Sequence, residues 1–140
     1  MEGVYLTPLK IIENPKGDIL HALKSSSPFY SEFGEAYFSS INYDDIKGWK
    51  LHTKMILNLI VPVGEIEFVI YDDRSVSETK GDFFKVVLSR SNYYRLTIMP
   101  GLWLCFKGIG KSENILLNIA SIEHEPEESK NMDLKYINLP

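Results

Sequence analysis

Three histidines, His21, His52 and His124, are the side chains of this sequence whose ordinary pKa lies nearest neutrality, which is what moving a proton at physiological pH requires. His52 closes the run Lys47-Gly48-Trp49-Lys50-Leu51-His52, and read alone it is an ordinary polar residue on a sheet face. His124 lies in Glu123-His124-Glu125-Pro126, an exposed turn flanked by carboxylates, and His21 follows apolar residues as a structural or solvent-facing group. Asp72-Asp73-Arg74 offers two carboxylates for acid–base work, but a strand-end Asp–Arg ion pair that fixes the following loop is the favoured reading. Gly110-Lys111-Ser112 has the end of a phosphate-binding loop, yet the position five residues earlier is Cys105 where that loop needs glycine, so the motif is rejected. Cys105 reads as a small buried hydrophobe. Trp49 and Trp103 have faces suited to stacking on a base or sugar. Core packing is an equal alternative for Trp49 and the preferred one for Trp103.

Composition limits what these residues serve. A chain of 140 residues is expected to form one domain and to bury about two-thirds of its unfolded surface. A net charge of -4 argues against binding nucleic acid by phosphate neutralisation, while leaving room for a nucleotide held by a local lysine or arginine cluster. The single cysteine allows no intramolecular disulfide. The N-terminal residues show no basic region followed by an apolar stretch, and the apolar run from Met55 to Val63 is broken by Asn58 and Pro62. No signal peptide or membrane span is therefore expected, and the cytoplasm is the expected setting.

The elements that must position any site are strands. Strand-like segments recur at the spacing of a sandwich or barrel: residues 5–12, 19–23, 35–41, 55–61, 65–72, 83–88, 94–99, 102–107 and 114–120. Alternation is clearest where Ile66, Phe68 and Ile70 share one face against Glu67, Val69 and Tyr71, and where Tyr94, Leu96 and Ile98 oppose Arg95 and Thr97. Turn residues separate the runs, as in Asn14-Pro15-Lys16-Gly17, Lys80-Gly81-Asp82 and Pro100-Gly101. No helical period is sustained, and the Glu- and Lys-rich tail after Pro126 reads as a short helix or a solvated strap. The expected fold class is all-β, a jelly roll or related double-sheet barrel.

From Asp72 to Phe106 an ordered set of residues, Asp72, Arg74, Ser77, Thr79, Gly81, Leu88, Ser89, Asn92, Ile98, Pro100, Gly101 and Phe106, resembles the central block of the dTDP-4-dehydrorhamnose 3,5-epimerases. Leu51 and His52 match that family's Arg-Gly-Leu-His segment, and Pro15-Lys16-Gly17-Asp18-Ile19 resembles its early Arg-Gly strand, so the likeness runs from about residue 5 to residue 128. The resemblance implies a single cupin domain over residues 1–140, with a core over 5–128 and a tail over 129–140. It further implies a homodimer, and a pocket inside the barrel that takes a 4-keto-6-deoxy sugar nucleotide without metal or organic cofactor. In that chemistry the ketone acidifies the hydrogens on adjacent carbons. A base removes one, a donor stabilises the enolate oxygen, and an acid returns a proton on the other face.

Carried over by resemblance, His52 is the catalytic base. The family's catalytic tyrosine falls on Asn118, which cannot act as an acid but can donate to an oxyanion. The lysine expected near the oxyanion has Lys54 as its one counterpart, and the family's late histidine falls on Leu104. The acidic partner of the base is expected from a C-terminal region that this chain largely lacks. Lys16, Lys47 and Lys50 stand in for diphosphate-gripping arginines, keeping charge without the bidentate fork. Trp49 and Arg74 are further substrate-binding candidates, Arg74 also as a contact to a dimer partner, and His124 is an alternative acid at the pocket mouth. Metal-binding cupins supply His-x-His and a later histidine, whereas Lys54 and Leu104 occupy those positions, so no metal is expected. Epimerisation at one carbon in deoxysugar or polysaccharide synthesis is the preferred activity. A non-catalytic sugar-nucleotide-binding cupin and a 3,4-ketoisomerase are the alternatives.

Overall fold

The computed structural model describes all 140 residues. Twelve strands follow one another as β1 Val4–Pro8, β2 Ile11–Ile12, β3 Ile19–Leu20, β4 Glu35–Ser40, β5 Ile46–His52, β6 Leu57–Val63, β7 Glu65–Tyr71, β8 Phe83–Ser89, β9 Tyr94–Ile98, β10 Trp103–Gly108, β11 Ile115–Ala120 and β12 Ser129–Asn131. Ten of them form two five-stranded antiparallel sheets, β1-β9-β6-β11-β4 and β12-β5-β10-β7-β8, while β2 and β3 make a separate hairpin. This is the all-β double-sheet barrel that the alternating pattern implies, and the two sheets face each other across one apolar core. Leu57, Leu59, Val61, Leu96, Ile98, Leu116 and Ala120 come from one sheet; Ile66, Phe68, Ile70, Leu88 and Leu104 come from the other. Burying each large aliphatic or aromatic side chain there contributes about 1.5–3 kcal/mol.

Strand β5 escaped the sequence pattern, although it carries His52. Gly48 sits in its middle at φ +135°, and the pairing with β10 shifts register between Leu104 and Cys105. The irregularity breaks the two-residue alternation that betrays the other strands. The stretch read as one strand over residues 5–12 is two, β1 and β2.

The tail is not a loose strap. It opens with a single-turn 3-10 helix, Pro126–Glu128, continues as β12 along the edge of β5, and places Met132, Leu134 and Ile137 on a small second cluster of Trp49, Val69 and Cys105. Trp49 exchanges backbone hydrogen bonds of 3.0 Å with Met132 in both directions, which locks tail to sheet.

The Asp72–Arg74 segment is a structural clasp. The fully buried Asp72 carboxylate accepts Arg74 Nε at 2.8 Å, Arg74 Nη2 at 2.7 Å, and the Ser77 and Thr79 hydroxyls at 2.6 Å each. The Arg74 hydrogen bond first, then those hydroxyls, hold its carboxyl far below the usual carboxylate range against the opposing effect of burial. Arg74 Nη2 also donates to the Glu2 carbonyl at 2.8 Å, tying the loop to the N-terminus. Nε and Nη2 of the guanidinium are thus spent on groups of this chain, and Arg74 does not border the inner cavity where a substrate-binding residue was expected.

Candidate active site

Between the two sheets lies a cavity of about 290 Å³. Its floor is apolar, formed by Leu57, Leu59, Leu104, Phe106 and Leu116, and its polar groups are Tyr37, Ser39, Lys47, Lys50, His52, Asn118 and Asn131. An apolar bowl with a few convergent polar groups is the usual form of a small-molecule site.

His52 stands at the end of β5, and its Nδ1 lies 2.7 Å from Glu128 Oε1. The other Glu128 oxygen accepts the backbone N–H groups of Lys54 at 2.9 Å and Met55 at 2.8 Å. Burial would raise the Glu128 pKa, but the His52 hydrogen bond and the two backbone donors outweigh it and bring the carboxyl down to about 2. An ionised carboxylate can only accept, so Nδ1 carries a hydrogen and donates it to Glu128; in the neutral imidazole this tautomer has the lone pair on Nε2. Nε2 has no partner in the protein. The Glu128 contact fixes the orientation of the ring.

The opposing wall carries a second polar pair. Tyr37 on β4 is the direct cross-strand partner of Asn118 on β11, so the two side chains leave the sheet on the same face. Asn118 Nδ2 donates to the Tyr37 hydroxyl at 3.1 Å, and Asn118 Oδ1 accepts the Asn58 N–H at 3.3 Å. Because the hydroxyl accepts from Asn118, its own hydrogen is free to donate toward the cavity. Lys47 and Lys50 of β5 both border the cavity, because the register shift between them puts residues three apart on one face, and Lys47 Nζ donates to the Ser40 carbonyl at 2.6 Å.

Of the residues singled out in the sequence, His52, Asn118, Lys47, Lys50 and Trp49 border this cavity. Trp49 does so with its side chain 1% exposed and packed on Val69 and Cys105, so it has no free face to stack on a sugar. The structure does not bring Lys54, Lys16, Arg74 or His124 to the cavity. Lys54 is exposed in the turn after β5 and takes part through its backbone N–H alone. Lys16 tops the exposed β2–β3 hairpin, where its N–H meets Asn14 Oδ1 at 2.9 Å. His124 is exposed in the turn after β11.

Glu128, Tyr37 and Asn131 belong to the site and were missed by sequence reasoning. Glu128 corrects the expectation that the base lacks an acidic partner: it is one of four glutamates between 123 and 128, and residue type alone does not single it out. Tyr37 had a signal. Alternation in residues 35–41 puts it with Ser39 on one face, and it lies opposite the position already marked by Asn118.

No family model matches the sequence. The crystal structure of a dTDP sugar isomerase from Desulfovibrio desulfuricans G20 is 37% identical and superposes with a TM-score of 0.95, covering 99% of this chain and 90% of that one. The probable low-salt glycan biosynthesis epimerase Agl13 of Haloferax volcanii is 25% identical over 138 residues, covering 97% of this chain and 88% of that protein. The fold is also that of dTDP-4-dehydrorhamnose 3,5-epimerase from Sulfolobus tokodaii, with a TM-score of 0.87 and 24% identity over 100% of this chain and 82% of that one.

Proposed function

The chain belongs to the family of dTDP-sugar isomerases and 3,5-epimerases, and we propose that it inverts one carbon beside the ketone of a dTDP-linked 4-keto-6-deoxyhexose. The observation that carries this reading is the pairing across the cavity of the His52–Glu128 dyad on one sheet with the Tyr37–Asn118 pair on the other.

Each group has a role its chemistry fits. His52 Nε2 removes the hydrogen from the carbon next to the ketone, and Glu128 stabilises the imidazolium that forms. Tyr37 donates its hydroxyl hydrogen from the opposite wall, with Asn118 holding the oxygen in place. Lys47 and Lys50 meet the diphosphate as point charges. Removal on one face and return on the other inverts the carbon, whereas a transfer between neighbouring carbons on one face uses His52 alone. A homodimer and a cytoplasmic setting go with this reading, and sedimentation velocity tests the first of them.

The experiment is to incubate the protein with a dTDP-linked 4-keto-6-deoxyhexose and follow the sugar ring by proton NMR. A single inverted centre with the ketone still at C4 is the expected product. A product with the ketone moved to C3 would replace epimerisation by 3,4-ketoisomerisation. An unchanged sugar bound at the site would replace both by a binding protein.

A further inference from the structure

A second cavity, independent of the first, lies on the outer face of the β1-β9-β6-β11-β4 sheet, beneath residues 21–28. It measures about 220 Å³, and Thr7, Lys10, His21, Lys24, Ser27 and Arg95 supply its polar lining. None of its lining residues is acidic, although acids outnumber bases in the chain, 19 to 15.

Arg95 is the unusual member. It points away from the core because its strand neighbours Tyr94 and Leu96 point in, yet it is only 1% exposed. It forms no ion pair with any carboxylate. Its guanidinium meets only neutral oxygens: Nε donates to Asn58 Oδ1 at 3.1 Å, Nη1 to the Ala22 carbonyl at 3.3 Å, and Nη2 to Thr7 Oγ1 at 3.4 Å and the Pro28 carbonyl at 2.7 Å. Of the five N–H donors of a guanidinium these use four, leaving one hydrogen on Nη1. A buried charge without a counter-charge is unfavourable, and neutral acceptors offset that only in part.

The rest of the lining is donor-rich. Ser27 Oγ accepts the Lys24 N–H at 2.9 Å and Thr7 Oγ1 accepts from Arg95, so both hydroxyl hydrogens remain free. The Lys10 and Lys24 ammonium groups enter no ion pair. The Ala22 and Pro28 carbonyls already accept from Arg95. Such a set, cationic and short of acceptors, matches a ligand whose oxygens only accept and which brings the missing negative charge.

We propose that this outer-face cavity binds a phosphate group, with Arg95 at its base and Lys10, Lys24, Ser27 and Thr7 around the oxygens. The test is titration of inorganic phosphate into the full-length protein at constant ionic strength, read by calorimetry and by phosphorus NMR line width. Arg95→Met removes the central donor, but it also releases the Ala22 and Pro28 carbonyls and can unfold the segment. The decisive variant is therefore Lys10→Met/Lys24→Met, whose replaced side chains hold nothing else in the fold. The double variant is expected to weaken phosphate binding by about tenfold or more, while Lys80→Met, an exposed lysine that borders neither cavity, leaves it unchanged. Absence of phosphate binding below about 10 mM, or parental phosphate affinity in the double variant, overturns the proposal. Neither result bears on the sugar chemistry, which dTDP-sugar turnover by the same double variant reports separately.

Discussion

Replacing Glu128 with glutamine exchanges one oxygen for an amide nitrogen and keeps the side chain's shape, so its consequences follow from charge and hydrogen bonding. The native carboxylate is 3% exposed, and its pKa of about 2 lies below the ordinary 4.5. At about 1.4 kcal/mol per pH unit, that difference is worth about 3 kcal/mol of folding stability at neutral pH. The sign follows from proton uptake. The unfolded chain takes up a proton near pH 4.5 and the folded chain only near 2, so the contribution is complete above 4.5 and is lost as pH falls toward 2. Glu128→Gln should therefore be about 3 kcal/mol less stable than the parent at pH 7, with the gap about halved by pH 3. Urea unfolding at these pH values measures it, and other depressed carboxyls such as Asp72 cancel in the difference. Catalysis should suffer too. The glutamine oxygen must face the Lys54 and Met55 N–H groups, so its NH2 faces His52 Nδ1, which then has to accept. The ring hydrogen moves to Nε2, the nitrogen proposed as the base, and kcat should fall by about 100-fold or more. A stability gap independent of pH, or a Glu128→Gln variant of parental kcat, would refute this reasoning.

Tyr37→Phe should lower product formation by about 100-fold while exchange of the ring hydrogen with solvent deuterium continues, because the base remains; exchange and product lost in proportion would remove Tyr37 from the acid role. Asp72→Asn removes the charge facing Arg74 and turns one of the two accepting oxygens into an NH2 donor, and should cost about 2–3 kcal/mol in urea unfolding, with the activity of the folded fraction unaltered. Gly48→Ala would place a Cβ 2.5 Å from Cys105 Cβ in a backbone at φ +135°, and a loss of about 2 kcal/mol or more in thermal or urea unfolding is expected.

The architecture was legible because most strands bury one face. Ile66, Phe68 and Ile70 are all at 0% exposure, and the period of two in their spacing reports that burial directly. The site was legible in part. His52, Asn118, Lys47 and Lys50, singled out by resemblance, border the inner cavity. Arg74 was ambiguous for a physical reason: a strand-end Asp-x-Arg sequence is the same whether the guanidinium faces a ligand or closes its own loop. Trp49 was equally ambiguous until the tail, folding back as β12, covered it. Glu128 was illegible because its role depends on a contact 76 residues away in the chain. Local pattern does not encode which of several glutamates a returning strand will deliver. Tyr37 required the register of β4 on β11, which is a property of the sheet and not of either strand.

The measurement closest to the chemistry is solvent deuterium incorporation into a dTDP-linked 4-keto-6-deoxyhexose held in deuterium oxide. The parent protein should place deuterium on a carbon adjacent to the ketone, and His52→Asn should bind the nucleotide sugar with incorporation reduced to background. Undiminished incorporation by His52→Asn, or none by the parent with substrate bound, would contradict proton abstraction by this imidazole.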